Sequence, residues 1–333
     1  MNRYRVAILR GGLSSEYGTS MRTGMSVLEN IDTKRFNPID IVVTKNGEWI
    51  VDGRARMPEY LLHSVDVVFN ALHGSFGEDG TVQRLFERYG VAHTGSKPFA
   101  SAIAMNKVQT KNHLKHMGIK VPQHVQVSRD SINDLGRVAE KIVDTFGTQY
   151  IIKPVSSGGS AGTMCVKNPL LLEQALKDAL TVYDEVMVEA KIAGREATCG
   201  VVERYRDKQM YVLPTVEVTL PKGLEFQTYE AKCNCKTRNH CPASFERNIK
   251  DEIEKISEDV HRELGLSQYS RSDFIVADNI PGRQEGGIYF LEVNTLPQLS
   301  PDAQFRKALT AVGVSYSDFI THLLTDALAT SRR

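Results

Sequence analysis

The chain has 333 residues, a length that accommodates two or three domains of ordinary size. Its 41 basic and 40 acidic residues leave a formal net charge of +1, which excludes a general electrostatic attraction to nucleic acid or to an anionic membrane. The sequence has no apolar run of about 18 residues and no signal-peptide pattern at its start. We therefore expect a cytoplasmic protein that binds small molecules through local groups, with no nucleic-acid or membrane partner.

The first region, residues 1–100, alternates strand and helix patterns. Apolar β-branched runs and the helical stretches between them follow one another at 5–12, 20–30, 39–44, 65–74 and 81–90. Such alternation is typical of a parallel sheet covered by helices on both faces. The sequence therefore predicts an α/β fold with a doubly wound N-terminal domain.

Residues 101–190 form the predicted second region. A helix is predicted over residues 101–117, ended by Gly118. The apolar runs within 149–166 and 184–192 are consistent with paired strands. The boundary with the third region is predicted near the end of the second of these runs.

The third region, residues 191–333, contains a predicted helix over 244–264 and predicted strands over 272–278 and 287–294. The apolar residues of the helix recur three or four positions apart and are Ile249, Ile253, Ile256, Val260 and Leu264. This spacing predicts a single stripe that packs into a core. A Pro-Gly turn region joins the two strands, which favours antiparallel pairing.

Three oxygen-bearing side chains lie at corresponding ends of those two strands. Glu292 and Asn294 are two residues apart and so share one face of a strand, while Asp273 begins the preceding strand. Antiparallel pairing would bring all three together, an arrangement suited to Mg²⁺, which is held by a few carboxylates while phosphates complete its shell. The alternative interpretation is a strand that simply reaches solvent at Asn294.

A glycine- and serine-rich segment, "KPVSSGGSAGT" at 153–163, offers backbone N–H groups that can bind phosphate, with Lys153 as a point charge. It is not a Walker loop, because no G-K-[ST] follows. An ordinary turn has the same composition. The segment alone therefore leaves a phosphate loop and a plain turn as open alternatives.

Two loops that follow strands in the first region carry polar candidates. Glu16 either begins a helix as a solvated acid or meets a substrate ammonium group. His73 either has a structural role or lies in a ligand pocket. The glycines that flank it would let a bound ligand approach the backbone closely.

The five cysteines are expected to be reduced thiols. Three of them lie with His240 in the segment 233–241, "CNCKTRNHC". Because this spacing lacks the paired C-x-x-C of common zinc modules, we predict no structural zinc.

Several segments, in a shared order along nearly the whole chain, resemble the ATP-grasp family and within it the D-alanine-D-alanine ligases. They read "GGLSSE", "NALHGSFGEDGTVQ", "HTGSKPFASAIAMNKVQTK", "IIKPVSSGGSAG", "YEAK", "CPA", "SDF" and "LEVNTLP". The resemblance implies three α/β domains with ATP bound between the central and C-terminal ones.

The resemblance also implies roles on the nucleotide side. It implies that ATP contacts Lys107, Lys153, Ser157, Gly158, Glu189, Glu196, Phe226 and Lys232. Among these, the lysines match phosphate contacts, Glu189 the adenine-side acid and Glu196 the acid at the ribose. Asp273, Glu292 and Asn294 match the ligands of two Mg²⁺ ions, for which Mn²⁺ could substitute.

On the amino-acid side the resemblance implies a catalytic set of Glu16, His73, Ser160 and Arg271. Glu16 matches the acid that holds the first substrate's ammonium group, and Arg271 matches the arginine that stabilises the oxyanion. In similar ligases the first amino acid's carboxylate becomes an acyl phosphate, which the amine of the second attacks. We expect small amino acids as substrates, a homodimer, and a lid over residues 222–245.

The sequence departs from the family on the amino-acid side only. Gly159 stands where the family has a serine, although Ser160 adjoins it, and Cys233 replaces a tyrosine. Gln298 replaces a glycine. A Ser-Leu pair near the second substrate's carboxylate is replaced by Ala303 and Gln304.

These departures predict intact nucleotide chemistry with poorer use of D-alanine as the second substrate, because a lost hydroxyl leaves a polar group unpaired. Three functions stay open: a D-alanine-D-alanine ligase, an ATP-grasp ligase for another acid and amine, and a non-catalytic nucleotide-binding homologue. A dinucleotide-dependent dehydrogenase is disfavoured because the G-x-G-x-x-G spacing is missing.

Overall fold

The computed structural model describes residues 3–159, 162–219, 238–280 and 285–331. These residues form three sheets with helices packed on them. The mixed α/β architecture confirms the fold class predicted from the sequence.

The first sheet has the strand order β4-β3-β2-β1-β5-β6, in which β2, β1, β5 and β6 run parallel. Its strands are β1 (Tyr4–Gly11), β2 (Phe36–Val43), β3 (Trp49–Val51), β4 (Arg54–Arg56), β5 (Val67–Asn70) and β6 (Ala92–His93). Its helices are α1 (Tyr17–Asn30), α2 (Pro58–His63) and α3 (Thr81–Arg88).

Both faces of this sheet are buried. Along β1, Val6 and Ile8 enter one apolar cluster, whereas Ala7 and Leu9 enter another on the opposite face. The alternation follows from the two-residue period of a strand and confirms the doubly wound pattern.

The second sheet is antiparallel, with the order β7-β10-β8-β9. Its strands are β7 (His124–Ser128), β8 (Tyr150–Pro154), β9 (Met164–Val166) and β10 (Glu185–Ala190). Helices α6 (Leu135–Phe146) and α7 (Leu172–Val182) contribute to its apolar core. The predicted pairing of the two apolar runs is confirmed, because β8 and β10 are neighbours.

The single helix predicted over 101–117 is wrong. Two helices, α4 (Pro98–Met105) and α5 (Lys107–His116), meet at Asn106. Asn106 is extended, and its side chain accepts a hydrogen bond of 3.0 Å from the Gln109 N–H, so it caps a new helix. The Lys107 N–H donates to the Val155 carbonyl at 3.1 Å, which fixes the start of α5 beside the end of β8.

The third sheet has the order β14-β13-β11-β15-β16, with β12 paired to β11. Its strands are β11 (Gly194–Tyr205), β12 (Lys208–Val212), β13 (Val216–Thr219), β14 (Arg238–His240), β15 (Tyr269–Ala277) and β16 (Gly287–Asn294). Helices α8 (Arg247–Glu263), α9 (Gln304–Ala311) and α10 (Tyr316–Thr330) complete the region.

The apolar stripe predicted for the helix of this region is confirmed. Ile253 and Val260 of α8 are fully buried in one cluster with Phe274 and Phe290 of β15 and β16. By contrast, α10 packs on the first sheet, where Phe319 and its neighbours share a cluster with β1 and β5. The end of the chain therefore completes the core of the first region.

Among the residues with described positions, no helix combines the length and the apolar character needed to cross a bilayer.

Candidate active site

The two strands predicted to hold metal ligands pair antiparallel. In their register Asp273 lies opposite Glu292 and Arg271 opposite Asn294, with a register shift directly after Asp273. Asn294 Nδ2 donates to Asp273 Oδ2 at 3.2 Å. The structure therefore brings together the three oxygen-bearing side chains, as the strand-pairing argument predicted.

Asp273 also accepts hydrogen bonds from side chains of β15 and β11. Arg271 Nε and Nη2 donate to its two carboxylate oxygens, each at 2.8 Å. Thr198 Oγ1, which lies on β11 directly opposite, donates to Oδ1 at 2.6 Å. Sequence reasoning missed Thr198, although its place two residues after Glu196 puts it on the same strand face.

A buried ion-pair group lies beside this carboxylate cluster. Glu189 of β10 has Lys111 Nζ 2.8 Å from Oε1 and Lys153 Nζ 2.8 Å from Oε2. Lys107 Nζ lies 4.0 Å from Glu292 Oε2 and donates to the Ser157 carbonyl. Sequence reasoning missed Lys111, whose only signal is its position one helical turn after Lys107.

The charges of this group follow from burial and pairing. Burial opposes ionisation of Glu189, yet its two lysine partners lower the pKa of the carboxyl group to about 2. Burial lowers the pKa of Lys111 to about 8. The pKa of Lys153 is raised despite burial, because Glu189 and Glu292 favour its charged form. Glu189 is thus ionised and Lys153 is cationic at neutral pH.

A cavity of about 660 Å³ opens between the second and third sheets. Its lining includes Lys153, Glu189, Glu196, Asp273 and Glu292. The volume lies within the range of small-ligand sites. Positive and negative groups therefore face the same volume, as a site for a phosphate-bearing ligand and a cation requires.

Glu16 lies against the glycine-rich loop. A Cβ on Gly158 would lie 2.2 Å from Glu16 Oε2, and one on Gly159 would lie 2.8 Å from Oε1. Gly159 also has φ +58°, a backbone conformation that favours glycine. The space that a serine side chain would need is thus occupied by the Glu16 carboxylate. The interpretation of Gly159 as simply a missing hydroxyl is therefore incomplete.

His73 is buried at the end of the first sheet. Its Nε2 shares a hydrogen bond of 2.9 Å with Thr23 Oγ1. Burial lowers the pKa of His73 to about 4, so the imidazole is neutral at pH 7. It can position a neighbour but carries no charge there.

Glu78 is a buried acid that sequence reasoning missed. It accepts hydrogen bonds from the Gly74 N–H at 2.7 Å and from the Leu296 N–H at 3.1 Å. Burial and the nearby Glu16 raise the pKa of Glu78 to about 8. Glu78 thereby joins the first region to the loop after β16 and also lines a cavity of about 20 Å³ with Lys107.

Several predicted residues lie outside the described residues: Ser160, Phe226, Lys232, Cys233 and Cys235. Most of the predicted lid over 222–245 lies there as well. The lid and the absence of zinc therefore stay predictions. Cys165, Cys199 and Cys241 are free thiols.

The segment after β16 contains the remaining departures. Gln298 Nε2 donates to Ser300 Oγ at 2.8 Å. Ala303 is buried at the start of α9, and Gln304 lines the 660 Å³ cavity. Gln304 therefore faces the same cavity as Lys153 and Asp273.

Comparison with known proteins shows the family of the chain. Residues 113–325 match the family described as D-ala D-ala ligase C-terminus, and residues 5–61 and 53–96 match D-ala D-ala ligase N-terminus. The chain belongs to the D-alanine-D-alanine ligase family. This confirms the resemblance inferred from the sequence.

Two relatives illustrate the extent of the match. The D-alanine--D-alanine ligase of Geobacter sulfurreducens is 32% identical over 326 residues, 97% of this chain and 94% of the relative. The D-alanine--D-alanine ligase of Chelativorans sp. is 33% identical over 330 residues, 98% of this chain and 99% of the relative. The similarity therefore extends through every region described above.

Solved structures show the same fold. D-alanyl-alanine synthetase A from Vibrio cholerae has a TM-score of 0.84 and 25% identity, covering 99% of each chain. The VanG D-Ala:D-Ser ligase from Enterococcus faecalis has a TM-score of 0.81 and 27% identity, covering 98% of this chain and 100% of the relative. The family consists of ATP-dependent ligases that form a C–N bond.

Proposed function

We propose that this protein joins the carboxylate of one D-alanine to the amine of a second, with cleavage of ATP to ADP and phosphate. The observation that carries the proposal is the 660 Å³ cavity, because Lys153, Glu196, Asp273 and Glu292 all line it. An acid that faces ribose, a lysine for phosphate and two carboxylates for a cation are the groups a nucleotide-activating ligase needs.

The nucleotide is held mainly by charge. Lys107 and Lys153 bind phosphate oxygens, assisted by backbone N–H groups around Ser157 and Gly158. Lys153 lies in the cavity wall, and Lys107 is tied to the loop through the Ser157 carbonyl. Glu189 and Glu196 face the adenine and ribose ends, and Phe226 and Lys232 are assigned to ATP by resemblance.

The residues at the ends of β15 and β16 fit a divalent cation. Asp273 and Glu292 offer carboxylate oxygens, and Asn294 uses its Nδ2 on Asp273, so its Oδ1 is the atom that can bind a cation. Mg²⁺ prefers such hard oxygen donors, and Mn²⁺ accepts them too. These three residues would hold one or two ions, which supply neutralisation of phosphate charge.

The reaction proceeds in two substitutions. An oxygen of the first amino acid's carboxylate forms a bond to the γ-phosphorus, and ADP leaves with the electron pair of the broken P–O bond. The amine of the second amino acid then forms the C–N bond, after which phosphate leaves and the nitrogen releases a proton. Glu16 holds the first ammonium group beside the glycine loop, His73 lies in the substrate pocket, and Arg271 faces the developing oxyanion. Ser160 is assigned to the same pocket by resemblance alone.

A phosphate-release screen tests this proposal. ATP and Mg²⁺ are supplied with single or paired D- and L-amino acids, and the products are identified by mass. We expect release only when D-alanine is present, with D-alanyl-D-alanine as the product. Binding of ATP without amino-acid-dependent release would favour the non-catalytic homologue instead.

A ligase with a different second amino acid is the other candidate. It is favoured by buried Ala303, where resemblance implies a serine near the second carboxylate. The structural relative from Enterococcus faecalis is named as a D-Ala:D-Ser ligase. Its name therefore gives D-serine, and not a second D-alanine, as one of its two amino acids. Faster release with D-alanine plus another amino acid than with D-alanine alone would select this candidate.

We also propose that the protein is a cytoplasmic homodimer. Light scattering on the purified protein gives its molar mass and so tests the dimer. A mass of a single chain at micromolar concentration would contradict it.

A further inference from the structure

Lys111 is a fully buried cation that has no assigned role. Its side chain is 0% exposed and its Nζ lies 2.8 Å from Glu189 Oε1. The same Nζ donates to the Phe290 carbonyl at 3.3 Å and lies 5.8 Å from the centre of the Phe290 ring. Lys111 of α5 therefore contacts Glu189 of β10 and Phe290 of β16, and it is not among the described residues that line the 660 Å³ cavity.

Lys153, in contrast, has two possible anionic partners. It lines the cavity and pairs with Glu189 Oε2 at 2.8 Å. The proposed function also assigns it to a nucleotide phosphate. If Lys153 were the sole cation at Glu189, whose side chain is 2% exposed, its move to a phosphate would strand a buried charge. Stranding a buried charge is strongly unfavourable.

The second cation removes this conflict. Lys111 holds the opposite carboxylate oxygen, so Glu189 keeps a partner when Lys153 turns toward a phosphate. Pairing with two lysines also keeps Glu189 ionised, which lowers its pKa despite burial. The carboxylate thus stays fixed while the cavity-lining lysine changes partners.

We propose that Lys111 is a positioning residue for the nucleotide, which keeps Glu189 paired so that Lys153 is free to bind phosphate. This inference rests on the proposed function, because it takes ATP as the ligand of the cavity. Lys111 itself touches no substrate. The proposal therefore concerns ATP affinity and leaves amino-acid binding unchanged.

A double-mutant cycle on Lys111 and Glu189 tests the inference. ATP affinity is measured by titration calorimetry with Mg²⁺ and without amino acids. Lys111→Met should weaken ATP binding about tenfold or more, because Lys153 is then retained by Glu189. Adding Glu189→Gln in that background removes the stranded charge. Because Glu189 is also the proposed adenine-side acid, the double variant should bind ATP as well as Glu189→Gln alone does. The same Glu189→Gln change alone should not strengthen binding.

The control is Lys115→Met, the same substitution one turn along α5 on an exposed lysine. It should leave ATP affinity unchanged. A purely structural role for Lys111 predicts a lower Tm with unchanged ATP affinity, and that result would overturn the inference. A double variant that binds ATP tenfold more weakly than Glu189→Gln alone would overturn it too.

Two further outcomes are distinct. If Lys111→Met does not fold, the ATP affinity of Glu189→Gln is compared with that of the double variant. Adding Lys111→Met to Glu189→Gln should lower the ATP affinity by less than about twofold. A tenfold loss in that comparison overturns the inference. Absence of ATP binding by the unmodified protein overturns the proposed function and this inference with it, whereas normal binding with a failed cycle removes the inference alone.

Discussion

The nucleotide side and the amino-acid side of the candidate site are built differently. On the nucleotide side, charged side chains on neighbouring strands meet one another, as Glu189 of β10 does with Lys153 of β8. On the amino-acid side, close approach to the backbone is important, because Glu16 lies against Gly158 and Gly159 of the glycine-rich loop. An ion pair is disrupted by a substitution that changes charge, whereas a close contact with the backbone is disrupted by a substitution that changes side-chain size.

Substrate selectivity depends on this difference. Charge on the nucleotide side is set by residue type and is lost when a carboxylate or an ammonium group is replaced. Contacts on the amino-acid side depend on how closely loops from distant parts of the chain approach. Substitutions such as Gly159 therefore change the shape of the pocket as well as its hydrogen bonds.

The largest expected effect is on the nucleotide side. Glu292→Gln keeps the size of the side chain but removes the charge that faces Lys107 and the proposed cation. We expect ATP turnover to fall by at least about a hundredfold, and chelation of divalent cations to abolish it in the unmodified protein. Initial rates of ADP formation measure both.

Glu285→Gln is the matched control for this change. Glu285 is a largely exposed acid that pairs with Lys120 at the surface, so its removal should leave turnover intact. An active Glu292→Gln enzyme, or full turnover in chelator, would contradict the metal assignment.

The second prediction tests shape on the amino-acid side. Gly159→Ala places a Cβ against Glu16 Oε1 in a backbone conformation with φ +58°. We expect a rise of about tenfold in KM for the first amino acid, with a loss of about 1–2 kcal/mol in stability. Gly159→Ser should act in the same direction although it restores the family's hydroxyl.

Gly147→Ala provides the control for backbone strain alone. Gly147 has φ +85°, but no heavy atom lies within 4 Å of the position that a Cβ would take, so the variant should lose stability without a change in KM. A lower KM for D-alanine in Gly159→Ser would mean that Glu16 gives way easily, and the hydroxyl interpretation from the sequence would stand.

The third prediction concerns pH and Glu78. Its pKa is raised to about 8 in the folded protein, whereas an unfolded glutamate has a pKa of about 4.3. Between these values the folded protein binds a proton that the unfolded chain has released, so stability should fall as pH rises across this window. The free energy of unfolding, measured against urea at several pH values, gives the slope.

Glu78→Gln removes the titrating group and should therefore flatten the dependence of stability on pH. It should also lower stability equally at all pH values, because the amide NH₂ would face one of the two backbone N–H donors. Glu87→Gln, on an exposed acid of α3, should keep the slope of the unmodified protein. Equal slopes for the unmodified protein and Glu78→Gln would contradict the raised pKa.

The predictability of the site follows the same division. Asp273, Glu292 and Asn294 could be grouped from the sequence, because strand alternation and antiparallel pairing are local rules. Glu78 could not, because its partner Leu296 is 218 residues away. Lys111 could not be predicted for a similar reason, because its pairing with Glu189 depends on how α5 packs against β10.

The fold divides in the same way. The stripe of α8 and the parallel strands of the first sheet were predicted from periodicity, whereas the break at Asn106 was hidden within an uninterrupted helical composition. An asparagine can cap a helix or lie within one, and its contact environment decides. The packing of α10 on the first sheet likewise depends on tertiary structure.

The smallest expected effect concerns Ala303, at the N-cap position of α9, which has no side-chain cap. Ala303→Ser offers a hydroxyl both to the helix N–H groups and to the second substrate's carboxylate. We expect about 1 kcal/mol of added stability and a KM for D-alanine at the second site lower by a few-fold. Ala303→Gly separates the two effects, because glycine at the N-cap recovers most of the stability without a hydroxyl. If both variants lower KM equally, the helix start is responsible and the hydroxyl is not. An unchanged KM in Ala303→Ser would show that this position does not set selectivity for the second amino acid.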